Sequence, residues 1–504
     1  MICKKTGIMA VAVVMLMMVS SLMMLIPAEQ VDATPAAGSP SNYQDAKLWV
    51  LGNADGDEDI DASDVTVINN AVTAGATVSD APMCDADHSG TIDATDATFV
   101  QSLIDGTATF CYYYNVDGAI CKFTFHDKIN AIALHRCVVR SATVLDNFDD
   151  NVKIVGMDSV PFGEAEFNVS QNYPGTVSVG VLGDISYENC ASFVTSYQSD
   201  DPDIGLVIMV GTIDYYLTSL ETWADDLGFQ VVRIPTWEHH PTEGLITTAY
   251  LFSGLGENTD RNDTNCWHHA LKYADWAFGY LDMIESKSVL IPAEEKLKVL
   301  GVYTTTVNYE HVNHTRGPGS GDYENYAAAG GDNIATRFGP GSKQSWTMES
   351  LAAQCSDLDV LILMSANCFD NNEFNVTDDM KDLTEKVSDY VKDGCKVYAI
   401  SWALNGAPFV VQMVYYAKIF MPGDSELAAL SMDDAWSGYL DMIGWSDRTD
   451  ISLDLAKVCS DVNNPGVAGA SGSSGSLDWT LVGGVAGVAV VVIAILAFAL
   501  LRRK

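Results

Sequence analysis

Through the middle of the chain, short β-branched apolar runs alternate with stretches of helical period. The runs are Asn130 to Leu134, Ser178 to Val181, Ile204 to Val210, Gln230 to Ile234, Leu297 to Tyr303, Val360 to Met364 and Lys396 to Ser401. Strands alternating with helices predict a parallel sheet covered on both faces, so the expected class is α/β. One stretch carries a longer stripe. From Trp267 the apolar positions Leu271, Ala274, Phe278, Leu281 and Ile284 follow at helical intervals, and Asp263 or Thr264 is placed to cap the start. About four runs precede this helix and three follow it, which predicts two α/β lobes bridged by one long helix.

The two ends are apolar for a different reason. Lys4 and Lys5 precede an uncharged run from Ile8 to Ile26, and Val31-Asp32-Ala33 offers small residues at a cleavage spacing, so 1–33 reads as a signal peptide, with an uncleaved anchor as the alternative. Thr480 to Leu501 is uncharged and would extend about 33 Å as a helix, so 479–501 reads as a membrane span. Arg502-Arg503-Lys504 forms a basic cytoplasmic tail, which predicts a single-pass membrane protein with its large domain outside the cell. Sequons at Asn168, Asn262, Asn313 and Asn375 agree with export. Of the eleven cysteines, ten remain after the signal; an exported chain permits disulfides, with Cys111 and Cys121 the favoured pair and buried free thiols the alternative.

Composition then divides the interior. Residues 34–45 form a Pro/Ala/Ser/Gly linker, 46–107 are very acidic, 112–460 hold the α/β pattern, and 462–478 form a Gly/Ser/Asn stalk. The lobes are expected at about 112–262 and 296–455, with the bridging helix at about 264–287. The acidic segment repeats itself at an offset of 32 residues. Asn53, Asp55, Asp57, Asp59, Asp61 and Asp64 align with Asp85, Asp87, Ser89, Thr91, Asp93 and Asp96. Oxygen side chains fall at loop positions 1, 3, 5, 9 and 12, position 7 offers a carbonyl, and an apolar Ile60 or Ile92 sits at position 8, which is the donor pattern of a calcium loop. A helix-like run follows each loop, Val65 to Val72 and Ala97 to Ile104, but no helix precedes it, and position 12 is Asp instead of Glu.

Paired loop-helix repeats of this kind resemble the dockerin module. The resemblance covers residues 46–107 and implies calcium as the cofactor and a cohesin domain as partner. Positions 10 and 11, Ala62-Ser63 and Ala94-Thr95, would face that cohesin. The first copy departs from the pattern by carrying Glu58 where the turn favours Gly.

The two-lobed pattern resembles the class III solute-binding proteins of ABC importers, which bind iron-siderophores, haem, cobalamin or metal ions. Ala328-Ala329-Gly330-Gly331-Asp332-Asn333-Ile334-Ala335 is similar to a segment of their second lobe. Thr347 to Leu351, Ser356 to Ile362, Asn405 to Phe409, Tyr416-Ala417-Lys418 and Met421-Pro422 follow in the family's order, although Ala407-Pro408-Phe409 lacks a familiar Arg. The resemblance implies a metal chelate bound between the lobes and delivered to an ABC permease and ATPase.

Net charge is −40, from 67 acidic and 27 basic residues, which excludes nucleic acid as a partner. The chain has no G-x-S-x-G elbow, Walker A or H-E-x-x-H, so nothing nominates an enzyme. In open α/β sheets ligands lie at the carboxyl ends of strands. Loops there carry His135 and Arg136, then Trp237, Glu238, His239 and His240, then Tyr309, His311, His314 and Arg316. Arg suits an anionic chelate, and Trp and Tyr stack on flat rings, so His135, Arg136, Trp237, Tyr309 and Arg316 are the expected ligand-binding residues. His268-His269 is weaker, because helix neighbours face different ways. Two other readings stay open. One is a cell-surface scaffolding or adhesion protein working through its acidic module; the other is a bare zinc or manganese receptor using His135, His239 or His240 and His311.

Overall fold

The computed structural model describes residues 39–145, 151–163, 167–181, 184–197, 203–211, 220–236, 240–253, 266–304, 313–316, 321–339, 343–365, 384–385, 387–401, 404–445, 459–460 and 466–468. The signal segment, the 479–501 span, the basic tail, the Asp263 and Thr264 cap and most of the stalk lie outside them. Among the described residues no helix is long and apolar enough to cross a membrane. The chain divides into two compact units, 1–277 with 442–444 and 278–441 with 445–504.

The first unit opens with the acidic repeat. Helix α1 (Ala62–Ala74) and helix α2 (Ala94–Ile104) begin three residues before the apolar runs do. Asp61 and Asp93, at loop position 9, are their N-caps; Asp64 and Asp96, at position 12, return a carboxylate to the cap amide, so each loop closes as a capping box. Ile68 and Ala71 of α1 and Val100 and Leu103 of α2 are buried.

Residues 39–45, expected as part of a linker, are docked instead. The Tyr43 ring stacks on Tyr114 at 4.2 Å and meets Trp49 edge-on at 5.0 Å, and aromatic area of this size outweighs the chain freedom of a short Pro/Ser segment. Strands β1 (Phe110–Tyr114) and β2 (Ile120–Thr124) form a hairpin that the apolar runs do not mark, in a segment expected to open the α/β domain. Leu51 donates its amide to Tyr112 (2.8 Å) and Tyr114 donates to Trp49 (2.9 Å), so the module and hairpin share one backbone ladder. Cys111 faces Phe123 and Cys121 faces Tyr113 across that hairpin, and both thiols are free. The two cysteines lie two cross-strand pairs apart, with the Tyr112–Lys122 pair between them, which corrects the favoured disulfide.

The sheet of this unit is parallel throughout, in the order β5-β4-β3-β6-β7. Its strands are β3 (Ile129–Leu134), β4 (Val152–Met157), β5 (Val177–Ser178), β6 (Gly205–Val210) and β7 (Gln230–Arg233). Helix α3 (Arg136–Val144) follows β3, α4 (Tyr187–Tyr197) and α5 (Leu220–Asp226) flank β6, and α6 (Pro241–Phe252) follows β7. Every residue of β3 and β6 is buried, as expected of central strands covered on both faces. Ile132, Leu134, Val155, Leu206, Ile208 and Val210 meet Phe193, Leu220 and Phe229 in one core. Strand β4 escaped the apolar reading because Lys153 and Gly156 interrupt its pattern. Gly156 is required there, since a Cβ would stand 2.8 Å from Val179 Cγ1. The expected strand Ser178 to Val181 is split at Gly180, whose φ is +109°. The hairpin covers the β7 edge. The Gln230 side chain accepts from the Thr124 amide (2.7 Å) and donates to its carbonyl (3.0 Å), and Val116 donates to the Arg233 carbonyl. An edge that would otherwise be open to pairing is thereby closed.

Helix α7 (Cys266–Ser288) runs across the division between residues 277 and 278. The second unit has a seven-stranded sheet in the order β11-β9-β8-β12-β13-β14, with β10 also pairing β8. These are β8 (Lys298–Thr304), β9 (Asn313–Arg316), β10 (Asp332–Asn333), β11 (Lys343–Trp346), β12 (Val360–Ser365), β13 (Cys395–Ser401) and β14 (Gly466–Ala468). Strands β8, β12 and β13 are parallel, whereas β9, β11 and β14 pair antiparallel, with β11 and β14 at the two ends of the order. Two expectations change here. Stalk residues 466–468 pair with Cys395–Val397, and His314 and Arg316 sit on an inner antiparallel strand, opposite Tyr303 and Lys343, instead of in a loop.

The Ala-Gly-Gly segment has a structural explanation. Helix α8 (Gly321–Ala328) ends at Gly330 with φ +94°, and Gly331 donates to the Tyr326 carbonyl (2.8 Å). A Cβ on Gly331 would approach Val299 Cγ2 to 2.9 Å, so the turn can enter β10 only through glycine. At the amino ends of the same sheet, Asp357 bridges Lys298 and Arg337, and Asp359 accepts from the Lys298 amide while pairing with Lys392.

Candidate functional site

Two groups of residues in the first unit have the chemistry of a site. The first is the acidic repeat. In the second loop one oxygen each from Asp85, Asp87 and Asp96 lies within 4.8 Å of the others, the one such acidic, His or Cys group of metal-holding geometry among the described residues. Asp85 and Asp96 are buried. Burial pushes the Asp96 carboxyl above its ordinary range, and the neighbouring charges of Asp87 and Asp85 push the same way against amide donation from Asp93 and Asp87. Thr95 Oγ1 donates to Asp87 Oδ2 (3.0 Å) and Asp93 Oδ1 (2.7 Å), which holds both carboxylates and keeps the Asp93 pKa low. Ser89 Oγ donates to the Thr91 carbonyl (3.1 Å). Left-handed His88 (φ +54°) and Gly90 (φ +86°) fold the chain around this centre.

The first loop closes differently. Asn53 is buried, donating from Nδ2 to the carbonyls of Leu48 (2.9 Å) and Asp57 (2.8 Å) and accepting from Gly56 (3.1 Å) at Oδ1. Asp64 Oδ1 accepts from Ala54 (2.6 Å) and Asp55 (3.2 Å), and Oδ2 from Asp61 (2.8 Å). Burial raises its pKa in spite of these donors, with Asp55 adding to the rise. Gly56 (φ +80°) turns the loop at position 4. Glu58 at position 6 avoids the left-handed region and pairs with Lys47 (2.6 Å), which explains how the departure from Gly is tolerated. Asp55, Asp57 and Asp59 do not converge with Asp64 into a three-carboxylate group. Ala62, Ser63, Ala94 and Thr95 are all exposed at the helix starts.

The second group lies at the carboxyl edge of the parallel sheet. His135 follows β3 with φ +85° and ψ 145°, a conformation that residues other than Gly seldom hold, and caps α3 by accepting the Cys137 amide at Nδ1 (3.3 Å). Arg136 is the first residue of that helix, and both are half-buried. Asp158 follows β4, is buried, and accepts from Val160 (2.8 Å). Thr236 follows β7 and donates to the Gly211 carbonyl at the end of β6 (3.3 Å). His240 caps α6 in the left-handed region (φ +66°), with Nδ1 at 2.7 Å from Glu243 Oε1 and its ring 5.8 Å from Trp49. Trp237, Glu238, His239, Tyr309 and His311 lie outside the described residues, and for His314 and Arg316 the description stops at the strand. Among the described residues, His135 and Arg136 follow β3 and His240 follows β7, and Asp158 after β4 and Thr236 and Glu243 after β7 join them beyond the carboxyl ends of the same sheet. Asp158 was missed with strand β4. Glu243 had no signal of its own in the sequence.

Among solved structures the chain is similar to the TroA-like periplasmic binding protein FepB from Veillonella parvula, with a TM-score of 0.47 and 15% identity over 66% of this chain and 95% of that one. It is also similar to the molybdate periplasmic binding protein MolA of Haemophilus influenzae (TM-score 0.44, 14% identity, 66% and 97% covered). A third is CeuE of Helicobacter pylori, solved with Ni(II) bound (TM-score 0.42, 13% identity, 67% and 96% covered). No family model matches the chain, and no curated protein matches it.

Proposed function

We propose that the chain is a solute-binding protein for a metal chelate, a ferric siderophore, haem or cobalamin, serving an ABC permease and ATPase from the outer face of a membrane. The observation that carries this reading is the carboxyl edge of the first parallel sheet. His135 follows β3, Asp158 follows β4, and Thr236 and His240 both follow β7, with His135 and His240 in backbone conformations that need outside support. Arg136 supplies a cation for an anionic chelate. The bare-metal reading draws less support, because His240 Nδ1 is engaged by Glu243.

The second acidic loop fits calcium. Its donors are hard oxygens, and three carboxylates crowded together are repulsive until a cation enters. Asp85, Asp87, Ser89, Asp96 and the Thr91 carbonyl would hold the ion, which would supply charge neutralisation and a fixed loop. The exposed Ala62, Ser63, Ala94 and Thr95 favour a protein partner such as a cohesin on that face. Membrane attachment rests on the 479–501 segment and its basic tail. Spectral titration of the purified full chain with haemin, cobalamin and a ferric siderophore tests the central reading. One saturable equivalent of any of them supports it, and failure with all three turns the reading toward a scaffolding protein.

A further inference from the structure

Resting on the reading of the β3, β4, β6 and β7 carboxyl edge as the solute site, we propose that Trp49 of the acidic module is a positioning residue for His240 in that site. Trp49 is buried, and three contacts fix it. Its indole Nε1 donates to the Ala46 carbonyl (3.1 Å), its amide donates to Thr247 Oγ1 of α6 (3.1 Å), and its ring meets the His240 imidazole at 66°. His240 sits at φ +66° without being glycine, so packing from outside must hold it. Glu243 supports one side of its ring and Trp49 another.

The first loop of the repeat holds Trp49 in turn. Asn53 ties the Leu48 carbonyl into that loop, and Lys47 donates to the Gly56 carbonyl (3.0 Å). Leu51, Met83 and Tyr114 complete the cluster around the indole, with Tyr43 packed on it. The starts of α1 and α2 are exposed, whereas Trp49, just ahead of the first loop, packs against α6 at Thr247 and against its cap His240. A free-standing docking module would need neither the Thr247 hydrogen bond nor the His240 ring contact.

The test uses the full chain, haemin as probe, and the variants Trp49→Ala, Trp49→Phe and Thr247→Val. Trp49→Ala, with an unchanged far-UV spectrum, is expected to bind haemin about tenfold more weakly and to exchange the amides of residues 240–248 faster, whereas exchange across β3 and β6 stays the same. Trp49→Phe keeps a ring against His240 and is expected to recover most of the affinity. A folded Trp49→Ala with native haemin affinity and native exchange at 240–248 overturns the proposal. If the unaltered chain binds no haemin, the solute reading fails separately, and exchange at 240–248 decides: faster supports the positioning role, unchanged overturns it. If Trp49→Ala does not fold, Thr247→Val, which removes the acceptor of the Trp49 amide, carries the same two outcomes.

Discussion

Gly244→Ala sets two opposing effects against each other in α6. In an ordinary helix interior the exchange would stabilise by about 1 kcal/mol through lower chain entropy. Here a Cβ would collide with the Pro235 carbonyl oxygen and stand 2.8 Å from its carbon and 3.1 Å from its Cγ. The obstacle is mostly backbone, in a turn whose other residue, Thr236, is buried and hydrogen-bonded to Gly211, so it cannot swing aside as a long side chain would. Every residue of α6 except Tyr250 is buried, which leaves the helix no easy retreat. Overpacking of a close interior costs about 1 to 3 kcal/mol, and contact with backbone belongs at the upper end. The steric cost wins, and we expect a net loss of about 1 to 2 kcal/mol. Urea unfolding of Gly244→Ala beside the unaltered chain measures it, and weakened chelate binding should accompany it because Pro235 and Thr236 must shift. Equal or higher stability would refute the close approach of α6 to Pro235 and with it the proposed rigidity of the His240 turn.

Other outcomes follow from the same contacts. Asp96→Ala removes both a calcium oxygen and the α2 capping box, so calorimetry should show loss of one high-affinity calcium equivalent, whereas Asp64→Ala should lower stability with little change in calcium uptake; equal losses of uptake would contradict the difference between the loops. Arg337 and then Lys298 hold the Asp357 carboxyl below its unfolded value, so its contribution is present above about pH 4 and fades as pH falls further. Asp357 is 43% exposed, so screening limits this to about 1 kcal/mol or less, and Asp357→Asn should lower stability by that amount at neutral pH and converge with the unaltered chain as pH falls through the acid limb. Alkylation of the unfolded, unreduced chain should label Cys111 and Cys121 alike; a peptide cross-linked through the two would contradict the hairpin register.

How much of this was legible depends on what each element buries. Strands β3, β6, β8, β12 and β13 are central and apolar on both faces, so continuous runs marked them within a residue or two. Polar strands give no such signal. Strand β9 is Asn-His-Thr-Arg, and its place between β8 and β11 is set by their pairing, so the pattern reads the chain around Arg316 as a loop. The calcium-type spacing was visible because donor chemistry repeats in sequence, but the unlike closure of the two loops was not, since Asn53 acts through backbone carbonyls that no pattern of side chains records. Trp49 likewise reads as an ordinary core tryptophan. Its tie to Thr247 spans 198 residues, and only the folded hairpin brings the two together. Arg136 was found by position alone, whereas the strain at His135 needed the backbone angle.

The most direct measurement of the central claim is the dissociation constant of the unaltered chain and of Arg136→Ala for haemin and a ferric siderophore, under one set of conditions. The account predicts one saturable site, weakened by about 1.5 to 3 kcal/mol in the variant, the range for a hydrogen bond to a charged group, with the unfolding transition in place. Absence of saturable binding, or binding indifferent to Arg136, would contradict the assignment of the first sheet's carboxyl edge as the solute site.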